Sequence, residues 1–79
     1  MKKYNIIGIH ITDRIKHVET VQKILTRHGH GVSTRLGLHN ARDNSPNGLI
    51  IIEVENETFA PLKKELKKIE GIEIKNMRF

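Results

Sequence analysis

The apolar residues of this chain change their spacing along the sequence, and the order of the changes limits the folds open to it. Alternate positions are apolar over residues 3–12, 32–39, 49–55 and 72–75, which is typical of β-strands. Between the first two strands, and again between the last two, the spacing becomes three or four residues, which is typical of amphipathic helices. The sequence therefore predicts the element order βαββαβ.

The first helical segment has recognisable signals at both ends. Thr12 or Asp13 is suited to be its N-cap, and Gly29 or Gly31 is suited to end it. Its apolar stripe consists of Ile15, Val18, Val21, Ile24 and Leu25.

The second helical segment has a similar set of signals. Asn56 or Thr58 is the expected N-cap, and Pro61 is acceptable in the first turn of a helix. Gly71 is expected to form a left-handed exit from this helix into the last strand. The apolar stripe consists of Phe59, Leu62, Leu66 and Ile69.

Rules of chain connection turn this element order into a topology. A crossover that joins two strands through a helix is right-handed, so both helices lie on the same face of the sheet. The predicted fold is the ferredoxin-like arrangement of the α+β class, a four-stranded antiparallel sheet in the order 4-1-3-2. We expect residues 1–79 to form one such domain, because folded domains usually have about 50 to 250 residues.

Composition narrows the classes of function and partner. The 14 basic and 9 acidic residues give a net charge of +5, which attracts acidic partners without identifying one. Without cysteine, the chain can form no disulfide, thiolate nucleophile or cysteine-type zinc site. No signal peptide or membrane span fits the sequence, and we expect a cytoplasmic protein. Because so short a domain buries a small core, we also expect a homodimer or homotetramer.

Alternation assigns the strand residues to a helix-covered face and an open face. The covered face is predicted to carry Ile7, Ile9, Ile11, Leu36, Leu38, Ile50, Ile52, Val54, Ile72 and Ile74. The open face is predicted to carry Gly8, His10, Arg35, Gly37, His39, Glu53, Glu73 and Lys75, together with five larger side chains. These five form a predicted oligomer interface, and they are Tyr4, Ile6, Leu49, Ile51 and Met77. A solvated sheet face with a few tolerated apolar residues is the alternative.

RNA binding is a competing interpretation, because the same fold with a positive charge serves RNA recognition when aromatic rings line the open face. Strand three offers Leu49, Ile51 and Glu53 where stacking rings would be needed. Tyr4 is the one aromatic residue predicted on this face. We therefore expect no nucleic-acid binding without a partner chain.

Five histidines raise the alternative of a metal-binding sensor or carrier, because imidazole is a common ligand of transition metals. His10 and His39 are the candidate ligands, at the same end of the open face and roughly 9 to 10 Å apart at the backbone. His28 and His30 fall where the first helix ends, and there a histidine interacts favourably with the helix dipole. A transition metal is therefore the only candidate cofactor.

The sequence offers no catalytic constellation. Ser33 and Ser45 lack the context of a nucleophile elbow, and no glycine-rich phosphate loop is present. Glu53 and Glu55 fall on opposite faces of one strand, so they cannot act as a facing pair. We predict that the chain is not an enzyme.

Three segments, Arg35–Leu38, Asn47–Ile52 and Leu62–Lys75, resemble the family of iron-only hydrogenase system regulators. These are small stand-alone ACT-like proteins, related in fold to the effector domain of nickel-responsive regulators. The resemblance implies a regulatory module whose assembly a ligand controls, rather than a catalyst. It also implies proteins of the hydrogenase system and a small-molecule effector as partners.

The chain departs from both relatives at their ligand sites. ACT domains continue Asp-Arg with Pro-Gly, whereas here Asp13-Arg14 is followed by isoleucine and lysine. The nickel site requires His-x-His and a cysteine, whereas here Gly37 and His39 occupy the strand and cysteine is absent. We expect a small anion or polar metabolite to bind near this end of the sheet, at helical N–H groups. The candidate residues are Asp13, Arg14, Arg35, Gly37 and His39, although an ion pair with Glu53 is the alternative role of Arg35.

Overall fold

The computed structural model of the chain describes residues 4–39 and 48–78, except for the side chains of Arg14, Ile15 and His39. The six regular elements are β1 (Tyr4–Ile11), α1 (Arg14–Arg27), β2 (Val32–His39), β3 (Gly48–Glu55), α2 (Asn56–Leu66) and β4 (Ile72–Arg78). A short 3-10 turn, Gly29–Gly31, joins α1 to β2. The predicted element order is confirmed.

The four strands form one sheet in the order β2-β3-β1-β4, and each adjacent pair is antiparallel. This is the predicted 4-1-3-2 order, so the ferredoxin-like fold is confirmed. This order makes β3 and β1 the central strands and β2 and β4 the edge strands.

The core lies between the sheet and the two helices. In β1 the burial alternates without a break, so Ile7, Ile9 and Ile11 are almost completely buried under the helices. The helices contribute the buried side chains of Val21, Ile24, Leu25, Leu62 and Leu66. Complete burial of each such side chain contributes about 1.5–3 kcal/mol, so this layer is the main source of stability.

The start of α1 agrees with the sequence and the start of α2 does not. The Asp13 carboxylate accepts a hydrogen bond from the Lys16 N–H at 3.1 Å, as expected of an N-cap. Helix α2 already begins at Asn56, with Glu55 in the N-cap position and no side-chain cap. Pro61 consequently lies in the second turn of α2 rather than in its first. Thr58, the other predicted N-cap, lies inside the first turn of α2 and is only 6% exposed.

Strand β2 contains the main departure from the predicted faces. A β-bulge between Val32 and Thr34 shifts the pairing with β3, so that Thr34 lies opposite Glu53 and Leu36 lies opposite Ile51. The extra residue in a bulge reverses the alternation that follows it. The prediction that Leu36 and Leu38 lie under the helices is therefore wrong. Both are on the open face, and Arg35 and Gly37 are on the helix side of the sheet.

Candidate functional site

The open face of the sheet is a grid of side chains in three rows across the strand order β2-β3-β1-β4. The register places Leu38, Leu49, His10 and Glu73 in the first row; Leu36, Ile51, Gly8 and Lys75 in the second; and Thr34, Glu53, Ile6 and Met77 in the third. Paired residues of antiparallel strands share a face, which is why each row presents its side chains together. Tyr4 continues β1 beyond the third row.

A continuous apolar patch crosses this grid diagonally. It runs from the first row of β2 and β3 to the third row of β1 and β4, and comprises Leu38, Leu49, Leu36, Ile51, Ile6 and Met77. The exposed fraction is 50% for Leu36, 43% for Leu38 and 59% for Met77. Contiguous exposed apolar surface of this kind marks contact sites on proteins.

All five residues of the predicted interface, Tyr4, Ile6, Leu49, Ile51 and Met77, lie on the open face. Their role in assembly stays a prediction. The sequence interpretation missed Leu36 and Leu38, which extend the same surface onto β2. No signal in the local alternation identifies them, because the bulge depends on a contact with β3.

A depression lies at the centre of the open face, where Gly8 contributes no side chain. It has a volume of about 270 Å³ and is lined by Ile6, Gly8, Ile51, Lys75, Asn76 and Met77. A Cβ atom built on Gly8 would be 4.0 Å from the nearest heavy atoms, which is ordinary contact. The depression is therefore formed by the absence of a side chain and not by backbone strain.

Polar residues occupy the two corners that the apolar patch leaves. At one corner, the Glu53 carboxylate accepts a hydrogen bond from the Ser33 hydroxyl of the bulge. At the other, Lys75 is exposed and next to Gly8 in the register, with Glu73 two residues before it on the same strand. Arg35 lies opposite Ile52, so the predicted pairing of Arg35 with Glu53 is wrong and Ser33 takes that place.

The predicted ligand site is only partly assembled in the described part of the chain. Asp13 uses its carboxylate to cap α1. Gly37 lines a cavity of about 50 Å³ between α1 and the end of the sheet, which has room for one or two water molecules. Arg35 is exposed on the helix side of the edge strand. The side chains of Arg14 and His39 lie outside the described residues, so a ligand role for this set stays a prediction.

The predicted metal pair is divided by the same change of register. His10 lies opposite Leu49 on the open face, whereas His39 lies opposite Gly48, at a position of the helix-covered face. The predicted open-face position is therefore right for His10 and wrong for His39. Among the described residues, no group of three or more histidine or acidic side chains is arranged to hold a metal ion.

A second polar cluster joins the end of α1 to α2. The Glu65 carboxylate contacts the His28 ring at 3.0 Å and the Arg27 guanidinium at 3.1 Å. The hydrogen bond from His28 lowers the pKa of the Glu65 carboxyl, with burial opposing the shift and the charge of Arg27 adding to it. The predicted dipole position of His28 at the helix end is compatible with this contact. The cluster has a structural role in connecting the two helices.

Comparison with known proteins places this geometry in a family. The model of a family described as "TM1266-like: Iron-only hydrogenase system regulator, putative" matches residues 3–76. The structure of the uncharacterized protein TM1266 from Thermotoga maritima is similar, with a TM-score of 0.85 and 22% identity. That similarity covers 100% of this chain and 99% of the other.

A second similarity is to a nitrogen regulatory protein of related fold. CPII of Thiomonas intermedia K12, a nitrogen regulatory PII-like protein whose structure was determined with ADP, AMP and bicarbonate, has a TM-score of 0.67 and 15% identity. The match covers 98% of this chain and 90% of that one. A comparison with curated proteins found no match. In the described part of the chain, neither helix has the length and apolar character needed to cross a membrane.

Proposed function

The chain belongs to the TM1266-like family, and on this premise we propose that it is a non-catalytic regulatory module that works as a homo-oligomer. The observation that carries the proposal is the apolar patch on the open face. Leu36, Leu38 and Met77 would each remain about half exposed in an isolated subunit. Covering them adds apolar burial to a small domain whose own core supplies limited stability.

The open face is also large enough to hold two copies together. Four strands spaced about 4.8 Å apart, with seven or eight residues rising about 3.3 Å each, cover roughly 500 Å². Two such faces in contact bury roughly 1,000 Å², which reaches the lower limit of a specific protein interface. The contact between two open faces is therefore large enough to hold two copies of the chain together.

Mass in solution tests the proposal. Light scattering on the wild type is expected to give a multiple of the 9.1 kDa chain mass. Ile51→Lys places an ammonium group at the middle of the contact, so its mass should fall toward 9.1 kDa. The matched control is Thr26→Lys, which adds the same charge on the exposed side of α1.

Two results would contradict the proposal. A folded wild type at 9.1 kDa, or an oligomer that Ile51→Lys leaves unchanged, would remove the open face from the proposal. Circular dichroism of both variants shows whether a loss of mass reflects dissociation rather than unfolding.

We further propose that a small polar effector controls the assembly. The support is the similarity of fold to CPII, whose structure holds ADP, AMP and bicarbonate. A thermal-shift panel of ADP, AMP, bicarbonate and amino acids tests this part. An effector is expected to raise the midpoint and to change the mass, whereas a panel without any response would leave a scaffold that acts through protein contacts alone.

We also propose that proteins of an iron-only hydrogenase system are partners of the chain, and the description of the family supports this part of the proposal. Calorimetric titration of purified hydrogenase components with the wild type and with Ile51→Lys would measure this contact directly. Binding by the wild type supports the proposal, and the variant shows whether the oligomer is required.

A further inference from the structure

The apolar patch and the charged corners together restrict how a second copy can lie on the open face. Two sheets that pack face to face through a two-fold axis have that axis in the plane between them. Each residue then faces the reflected position of the partner's grid. Four simple directions are available for the axis: along the strands, across them, and along either diagonal.

Three of these directions place charges badly. An axis along the strands sets Lys75 against the partner's Leu36, and an axis across the strands sets Lys75 against its own copy. The diagonal from Thr34 to Glu73, which crosses the apolar patch, sets Glu73 against its own copy. Like charges in contact, or charges buried against apolar groups, oppose association.

The fourth direction follows the apolar patch from Leu38 to Met77, and it exchanges the two charged corners. On a flat grid with strands about 4.8 Å apart and same-face residues about 6.7 Å apart, Lys75 comes between the partner's Ile6 and Glu53, about 2 Å and about 3 Å away laterally. The flexible side chain of Lys75 lets its ammonium reach the partner's Glu53 carboxylate while its methylene groups lie against Ile6. The symmetry makes two such pairs. Within one chain the same two residues are about 12 Å apart, so neither satisfies the other.

The diagonal axis also fills the central depression. Ile51 is reflected to a point between the partner's Ile51 and Gly8, about 3 Å and about 3.5 Å away laterally, so it lies beside the position where the side chain is absent. In each copy, the depression of about 270 Å³ has room for the Ile51 side chain of the partner. Leu38 and Met77, at the two ends of the axis, face their own copies.

Resting on the proposed function, we infer that the chain forms a two-fold dimer along this diagonal, in which Lys75 of each copy pairs with the partner's Glu53 and Ile51 enters the depression over the partner's Gly8. The interface is self-complementary in charge as well as in apolar surface. Ion pairs at the rim fix the orientation, and the apolar patch supplies most of the stability.

Charge reversal tests the orientation. Lys75→Glu and Glu53→Lys each create two like-charged pairs, so each variant alone should dimerise at least about tenfold more weakly than the wild type. An equimolar mixture of the two variants should recover the dimer, because both cross-pairs are then opposite in charge. Light scattering at matched concentrations measures all three samples.

A wrong dimer orientation gives a different result from a wrong choice of interface. If Ile51→Lys dissociates the oligomer but the mixture remains as weak as its components, the open face is the interface and the diagonal orientation is wrong. Because Glu53→Lys also removes the partner of Ser33, a double-mutant cycle with Lys75→Met and Glu53→Gln provides a second measurement. Additive effects of those two substitutions on the dimer dissociation constant would overturn the pairing.

Discussion

The Thr12 hydroxyl donates a hydrogen bond to the Gly71 carbonyl at 2.9 Å, and the Thr12 backbone N–H donates to the same oxygen at 3.0 Å. Residues 59 positions apart in sequence thus connect the end of β1 to the turn before β4. Gly71 has a φ of 82°, a conformation that side chains with a Cβ rarely adopt. The turn is therefore specified both by the glycine and by its contact with Thr12.

Gly71→Ala should destabilise the fold. A Cβ atom at this position would lie 2.6 Å from the Thr12 hydroxyl oxygen, and the left-handed conformation adds its own cost. We expect the free energy of unfolding to fall by about 2 kcal/mol, and the melting temperature by roughly 10 °C. Gly29→Ala is the control, because its Cβ would meet nothing within 4 Å and its φ is not positive. Equal losses in the two variants would contradict the argument.

Substitutions of Asn5 should show how much the hydrogen bonds of its buried side chain contribute to stability. Its side chain is 1% exposed, donates to the Asn56 amide oxygen at 3.0 Å and accepts from the Asn76 amide at 3.2 Å. Asn5→Asp replaces the donor by a buried carboxylate that faces the Asn56 oxygen, so unfolding should become about 2–3 kcal/mol easier at pH 7. Asn5→Leu should cost less, because Asn56 and Asn76 are exposed and can bond to water. Urea denaturation compares the variants, and a larger loss in Asn5→Leu would refute this account.

Filling the central depression should separate dimerisation from folding. A Cβ atom at position 8 would be 4.0 Å from its nearest neighbours, and valine favours strands, so we expect the Gly8→Val subunit to stay folded. Its side chain occupies the space into which the partner's Ile51 is inferred to enter, and the dimer dissociation constant should rise at least about tenfold. Light scattering across a dilution series checks this. An unchanged dissociation constant would mean that the depression lies outside the contact.

The fold could be predicted from the sequence because β1, β3 and β4 pair without a register shift. Each residue of these strands therefore lies on the face that its neighbours indicate. In β2 the alternation breaks at Ser33, whose hydroxyl contacts Glu53, 20 positions later. A contact between strands cannot be read from a local period, and for this reason the faces of Leu36, Arg35 and Gly37 were predicted wrongly.

The sequence prediction of the candidate site failed for the same physical reason. Counting along β2 predicts His10 and His39 on the same face, but the bulge puts His39 at a position of the helix-covered face. The contact of His28 with Glu65 joins residues 37 positions apart, so the sequence indicated the helix-end position of His28 but not its partner. The interface residues on the unbroken strands were correctly placed on one face.

Because the chain has no cysteine, a single introduced thiol can report the faces of β2. Leu38→Cys lies on the open face at one end of the inferred dimer axis, where it faces its own copy across sheets about 10 Å apart. A short bis-maleimide should therefore link two chains of this variant. Gly37→Cys, on the opposite side of the same strand, is the matched control and should remain unlinked. Linkage of position 37 in preference to position 38 would contradict the register in the dimer.

The contact of Glu65 with His28 predicts a loss of stability in acid. The hydrogen bond from His28, reinforced by Arg27, holds the pKa of the Glu65 carboxyl below its ordinary value of 4.5. A carboxyl whose pKa is lower in the folded state stabilises the fold above its unfolded pKa, and this contribution disappears as the pH falls through the folded pKa. The stability that Glu65 provides should therefore be complete at pH 7 and decline below about pH 5.

Glu65→Gln should be less stable than the wild type at pH 7, and the difference should shrink as the pH approaches 3. Glutamine keeps the shape of the side chain but has no proton to lose, so its stability lacks this part of the acid dependence. Urea denaturation at a series of pH values measures the difference, with Glu70→Gln in the exposed turn after α2 as the control. A difference between Glu65→Gln and wild type that stays constant from pH 7 to pH 3 would show that Glu65 acts through its shape and not through its charge.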